Sequence, residues 1–174
     1  IGDRNYSSWS LRSWLLMRQC GIAFEERQHL LQTPDFDAAL AGLRPARTVP
    51  TLVTDDGLVI WDTLAIAEYL AERYPDAGIW PQDSTLRARA RCLCAEMHSS
   101  FLALRSRMPM NISASLPGKG RDAEVEADIA RVFELLCHAD GGAGPEGPFL
   151  FGRFCAADAF YAPVLMRLRT YGVE

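Results

Sequence analysis

Arg47-Thr48-Val49-Pro50-Thr51-Leu52-Val53, followed beyond Asp55-Asp56-Gly57 by Trp61-Asp62-Thr63-Leu64-Ala65-Ile66-Ala67-Glu68-Tyr69-Leu70, is the stretch that decides the fold. A proline opens a β-branched run, an Asp-Asp-Gly turn closes it, and a second short apolar strand leads straight into a helix start. The segment therefore reads as strand, tight turn, strand, helix. Pro50 stands ahead of the ladder and can take the cis form that only proline adopts cheaply. That form leaves the N–H and C=O of Val49 turned outward, free to pair with an extended peptide. Asp62 and Thr63 stand at the helix N-terminus nearby, where unpaired N–H groups and a partial positive charge suit a carboxylate. Main-chain pairing beside carboxylate capture is what a small peptide with a free α-carboxylate needs. Asp and Thr are also common helix caps, and capping draws on the same N–H groups.

Working outward, a polar turn from Asn5 to Ser8 leads into a helix with Leu11, Trp14, Leu15 and Met17 near helical spacing, stopped by Gly21. Ala23 to Leu31 reads as a strand, and Asp35 to Leu43 as a short helix capped by Asp35 behind Pro34. The order βαβ, then α, then hairpin and α, is that of a thioredoxin-like fold. Asp76 to Pro81 reads as a linker. Beyond it the pattern is helical: Ser84 to about Arg107, with Ala88, Cys92, Ala95 and Ser99 on one stripe, and Asp122 to about His138, with Val125, Ile129, Val132 and Leu136 on another. Pro109 to Lys119 is a loop. The fold class expected is an α/β thioredoxin-like N-terminal domain (1–75), a linker (76–82) and an all-α C-terminal helical domain (83–174). Both chain ends, and the stretch Ala139 to Gly144, read as incomplete.

With 174 residues, 49% of them hydrophobic, the chain is long enough to bury a core. Its net charge of −4 and lack of a basic block argue against nucleic acid or an anionic membrane surface as partner. The longest apolar runs, such as Trp14 to Met17, are far too short to span a bilayer, and no signal peptide precedes the first helix. A soluble, cytoplasmic protein is expected. The five cysteines are an odd count without a Cys-x-x-Cys, which suggests neither a disulfide framework nor a zinc knuckle. His29, His98 and His138 lie far apart in sequence, so no metal is expected. No Gly-x-Ser-x-Gly elbow, Walker loop or Gly-x-Gly-x-x-Gly occurs.

The segment quoted first resembles the glutathione-binding half of a cytosolic glutathione transferase, whose pattern is Val-Pro-x-Leu, then Glu or Gln-Ser-x-Ala-Ile-x-x-Tyr-Leu. The chain departs from it in having Asp62-Thr63 at the helix start. Phe149 to Asp158 resembles the family's late capping box, with Cys155 in place of Ser or Thr and Asp158 three positions on. A thiol accepts weakly, so this box should be poorer by on the order of 1 kcal/mol. The resemblance implies glutathione as co-substrate, bound by Arg47, Val49, Pro50, Asp62 and Thr63. It also implies a hydroxyl in the Asn5 to Arg12 turn that holds the sulfur as thiolate. Serine-type members place it five residues before an arginine, which is Ser7; the zeta-class Ser-Ser turn makes Ser8 the neighbour to consider, and Tyr6 is the tyrosine-type rival.

The chemistry has its own logic. A thiol near pKa ~8.5 is mostly protonated at neutral pH, and lowering it by ~2 units takes about 3 kcal/mol of thiolate stabilisation. A hydroxyl donor and a helix N-terminus can supply that. A disulfide exchanger would need a cysteine at this helix start, and Cys20 lies at the far end. The function expected is a serine-type glutathione transferase acting on a small apolar electrophile. The alternatives are a maleylacetoacetate-type cis-trans isomerase and a non-catalytic glutathione- or partner-binding module of the same fold. A homodimer is implied by the resemblance and by Leu86, Leu93, Met97, Phe101 and Leu104, which add more apolar surface than one core-facing side requires.

Overall fold

A computed structural model describes residues 1–139 and 147–173. The hairpin forms where its turn residues put it. Strand β1 (Leu52–Val53) pairs antiparallel with β2 (Val59–Ile60), Leu52 opposite Ile60. The Thr54 N–H donates to the Leu58 carbonyl at 3.0 Å, and the Leu58 N–H to the Thr54 hydroxyl at 2.9 Å. Gly57 takes a φ of 86°, a region that favours glycine.

Seven helices are described: α1 (Ser8–Gln19), α2 (Pro34–Ala41), α3 (Thr63–Arg73), α4 (Ser84–Ser99), α5 (Leu102–Arg107), α6 (Ala123–Cys137) and α7 (Ala156–Tyr171). A short 3₁₀ turn, Pro75–Ala77, leads out of α3. Helix α7 packs against both α1 and α4, and α1 against α3. One hydrophobic cluster consequently runs through both halves, joining Leu16, Met17, Ile66 and Leu70 to Leu93, Met97, Phe160 and Val164. The fold is the thioredoxin-like domain followed by helices that the hairpin signal implies. Among the described residues no helix is long and apolar enough to cross a membrane.

Several local expectations are corrected. No strand forms over Ala23–Leu31: five consecutive polar residues, Glu25 to His29, offer no alternating apolar face. That stretch meets Ile1 through two hydrogen bonds only, from the Ile1 amine to the Arg27 carbonyl at 2.7 Å and from the His29 N–H to the Ile1 carbonyl at 2.9 Å. The cap of α2 is Thr33, whose hydroxyl accepts from the Phe36 N–H at 3.3 Å, because Pro34 takes the first helical position and Asp35 falls inside the helix.

The long helix expected from Ser84 breaks at Phe101, which adopts a left-handed φ of 63° with its ring buried. Ala88, Cys92, Ala95 and Ser99 lie on the exposed side, whereas Leu93, Met97, Phe101 and Leu104 are buried within this chain. The apolar surplus is thus consumed internally and gives no argument for a dimer. The Ala139–Gly144 junction lies, beyond Ala139, outside the described residues.

At the start of α7, Asp158 accepts from the N–H groups of Leu150 and Cys155, both at 2.9 Å. Burial, then the Asp158 carboxylate, pushes the Cys155 thiol up to about 12, so it stays neutral. Replacing Asp158→Ala leaves two N–H donors without their acceptor and is expected to cost about 2 kcal/mol of stability or more, with Asp158→Asn retaining part of it. Urea denaturation reads this directly, and an unchanged midpoint would contradict the assignment.

Candidate functional site between the two domains

Helix α1 buries Ser8, Ser10, Arg12 and Ser13 beside Leu16 and Met17, while Leu11, Trp14 and Leu15 stay half-buried. Its inward face is thus polar at the N-terminal end. Ser7 is the helix cap: its hydroxyl accepts from the Ser10 N–H at 3.3 Å and donates to the Ser10 hydroxyl at 2.8 Å. The Ser10 hydroxyl also accepts from the Gly2 N–H at 3.0 Å. Gly2 leaves no room for a side chain there, since a Cβ would lie 2.8 Å from Leu31 Cδ2 and 3.1 Å from both Ser7 Oγ and Val49 Cγ2.

Ser8 differs from its neighbours. It is buried, and its oxygen accepts from Arg167 Nη2 of α7 at 3.1 Å. Among the described residues its proton has no acceptor. Tyr6 stands 56% exposed in the same turn.

The peptide Val49-Pro50 is cis, and among the described residues neither the N–H nor the C=O of Val49 has a hydrogen-bond partner. Pro50 is buried behind this edge, and Arg47 is exposed beside it. At the start of α3, one Asp62 oxygen accepts from the N–H of Leu64 at 2.8 Å and of Ala65 at 3.2 Å, so Asp62 does cap the helix. Its other oxygen meets His98 Nε2 of α4 at 2.6 Å. Thr63 is 1% exposed and its hydroxyl has no partner among the described residues.

Residues that sequence reasoning missed close the site from the second domain. Asn5 donates to Asn111 Oδ1 at 2.7 Å and accepts from the Ser113 N–H at 2.9 Å, pinning the first turn to the loop after α5. Trp9 stacks edge-on with His98 at 5.0 Å between centroids and carries Arg12 at 4.2 Å and Arg105 at 4.7 Å over its ring. Burial, then the charges of Arg105 and Arg167, push the Arg12 guanidinium down to about 9; burial, then Arg105, lowers Arg167 to about 10. Both remain protonated at neutral pH. Stacking contributes about 2 kcal/mol at a desolvated site, less than the several kcal/mol that each buried ion loses in hydration. The cluster is under-compensated. Only Arg12, a charge inside the apolar run of α1, was a visible signal; Arg105 and Arg167 lie far along the chain.

Among the described residues no group of three or more His, Cys, Asp or Glu side chains could hold a metal ion. The arrangement can bind an extended peptide on the Val49 edge, hold a carboxylate at the start of α3, and present a hydroxyl to an anion at the start of α1.

Residues 6–73 match the glutathione S-transferase N-terminal domain. The chain is 37% identical over 103 residues to a probable maleylacetoacetate isomerase of Caenorhabditis elegans, covering 59% of this chain and 47% of that protein. It is 30% identical over 135 residues to a stringent starvation protein A homolog of Coxiella burnetii, covering 78% and 60%. It is similar to the crystal structure of maleylacetoacetate isomerase from Anaeromyxobacter dehalogenans 2CP-1, with a TM-score of 0.65, 27% identity, and coverage of 97% of this chain and 74% of that one. The chain is similar to cytosolic glutathione transferases, with a zeta-like resemblance. It spans about half the length of the first of these relatives.

Asp62 gives the site a pH signature. Burial alone would raise its carboxyl, but the hydrogen bond from His98 and those from Ala65 and Leu64 outweigh it and hold the carboxyl below the ordinary range. A depressed folded-state pKa contributes stability that is complete above about 3.9 and is lost as pH falls through the folded value. Asp62→Asn should therefore lower the melting temperature at about pH 7, and the gap to wild type should narrow as the pH falls below about 3.9. A gap of equal size at both would show that the charge does not matter.

Proposed function

We propose that this chain binds glutathione and activates its thiol for attack on an electrophile held against the second domain. The peptide would lie along Val49-Pro50, with its γ-glutamyl carboxylate at the start of α3 on Thr63 and its sulfur at the start of α1. The observation that carries this reading is Ser8: of the three candidate hydroxyls, Ser7 is committed to Ser10 and Tyr6 stands in solvent. Ser8, as buried as Ser7, alone receives a hydrogen bond from a guanidinium and keeps its own proton.

A hydroxyl that accepts from a cation is a better donor through its own O–H, because the two bonds polarise each other. One charge-assisted hydrogen bond of about 1.5–3 kcal/mol, with up to about 1 kcal/mol from the helix N-terminus, matches the ~3 kcal/mol that thiolate formation at neutral pH requires. The thiolate would then attack the electrophile, the protein contributing orientation and water exclusion. Glutathione-dependent isomerisation is the second reading, favoured by relatives named as maleylacetoacetate isomerases, one of them solved with GSH in its active site. In that reaction the thiol adds and departs again, so glutathione is not consumed.

Two substitutions test the site. Ser8→Ala should raise the pKa of bound glutathione by about 1–2 units and lower turnover roughly tenfold or more. Ser7→Ala should instead cost about 1 kcal/mol of stability as a lost cap; the reverse pattern would assign the role to Ser7. Thr63→Ala removes a hydroxyl that the fold itself does not use, so the melting temperature should hold while calorimetry shows glutathione affinity falling about tenfold. Unchanged affinity would remove Thr63 from the site.

A further inference from the structure

The turn that carries Ser8 and the helix that carries Arg167 are joined a second time, through the loop after α5, and Asn111 is the shared point. Its side-chain oxygen accepts from Asn5 Nδ2 at 2.7 Å and from the Ser113 hydroxyl at 3.3 Å, and its carbonyl accepts from the Thr170 hydroxyl at 2.8 Å. The Asn5 oxygen accepts from the Ser113 N–H at 2.9 Å, so both ends of that amide are spent on the loop. The loop is bound in turn to the end of α7: the Leu116 N–H donates to the Thr170 carbonyl at 2.7 Å, and the Tyr171 hydroxyl to the Pro109 carbonyl at 3.2 Å. Within the first turn, Asp3 accepts from the N–H groups of Asn5 and Tyr6 through its side chain and from that of Ser7 through its carbonyl. Those bonds shape the turn, but none of them reaches the second domain. Asn5 lies just before Ser8, and Thr170 lies about one helical turn beyond Arg167. The Ser8–Arg167 hydrogen bond is thus flanked on both partners by the Asn5–Asn111–Thr170 bridge.

We propose that Asn111 is a positioning residue: by bridging Asn5 to Thr170 it fixes the first turn against α7, and with it the hydrogen bond between Ser8 and Arg167. The proposal rests on the reading that Ser8 stabilises the glutathione thiolate. A hydroxyl can aim its proton at an anion only while its oxygen is held, and such a group works within about 0.5 Å of its productive place. The single contact from Arg167 at 3.1 Å sets a distance, whereas a side-chain amide that both donates and accepts sets direction as well. Asn5 and Asn111 are half-buried and polar, so the bridge adds little apolar burial and its worth lies in geometry. Thiol activation then depends on both domains, although its hydroxyl lies on the first.

Asn111→Leu removes the acceptor at similar size, Asn111→Asp keeps it, and two readouts compare them. In the protein without ligand, hydrogen exchange of the amides from Tyr6 to Leu11 should accelerate roughly tenfold in Asn111→Leu, with the amides of α3 unchanged and Asn111→Asp close to wild type. With glutathione bound, the thiol pKa, followed by ultraviolet thiolate absorbance, should rise by about 1 unit in Asn111→Leu and by less than half of that in Asn111→Asp. Adding Asn111→Leu to Ser8→Ala should raise it no further, because both changes act on one hydroxyl. Where Asn111→Leu does not fold, Asn5→Ala opens the same bridge from its other side. Unchanged exchange in the first turn overturns the proposal. Faster exchange with an unchanged thiol pKa also overturns it, since the bridge would then only hold the domains together, as does an additive rise in the double variant. A wild-type bound thiol that titrates like the free one refutes the proposed function instead, and the exchange measurement still decides whether the bridge holds the turn.

Discussion

Helix α1 buries serines and an arginine at the end where a core helix would bury leucines, and that exchange organises the site. A hydroxyl turned inward needs a partner, and the partner of Ser8 is Arg167, brought from the opposite end of the chain by the packing of α7 on α1. A second contact, Asn5 to Asn111, and a third, Asp62 to His98, join the same two domains. The polar groups that join the domains thus include the hydroxyl that the proposed function uses. Apolar packing through Leu16, Ile66, Met97 and Phe160 supplies the stability that lets a few polar atoms remain without partners.

The charge of the cleft follows from this packing. Burial disfavours each guanidinium, and the charge of Arg105 adds to it at Arg12 and Arg167, yet those two stay protonated near neutrality. Regions of strong uncompensated charge in a water-poor place are where anions gain most from binding. The thiolate of the proposed reaction is such an anion.

Much of this was legible in the sequence because it is local. Val49-Pro50, the Asp55-Asp56-Gly57 turn and the Asp62-Thr63 helix start lie within one short segment and signal the hairpin, the open edge and the cap together. Of the two roles that the sequence left open for Asp62, the cap on α3 forms, and its other oxygen meets His98. The strand over Ala23–Leu31 failed where a polar run offers no alternation, and the continuous helix from Ser84 failed because nothing local announces the turn at Phe101. Arg105, Arg167 and His98 could not be read at all: each gains its meaning from a residue tens of positions away. The distinction between Ser7 and Ser8 is of the same kind, since it depends on which hydroxyl meets α7.

The central claim is that the start of α1 stabilises a thiolate. Titrating the ultraviolet thiolate absorbance of glutathione bound to the wild-type protein, across pH, tests it most directly. The account predicts ionisation about two units below the ~8.5 of a free thiol. A bound thiol that titrates like the free one would contradict it, whatever the affinity.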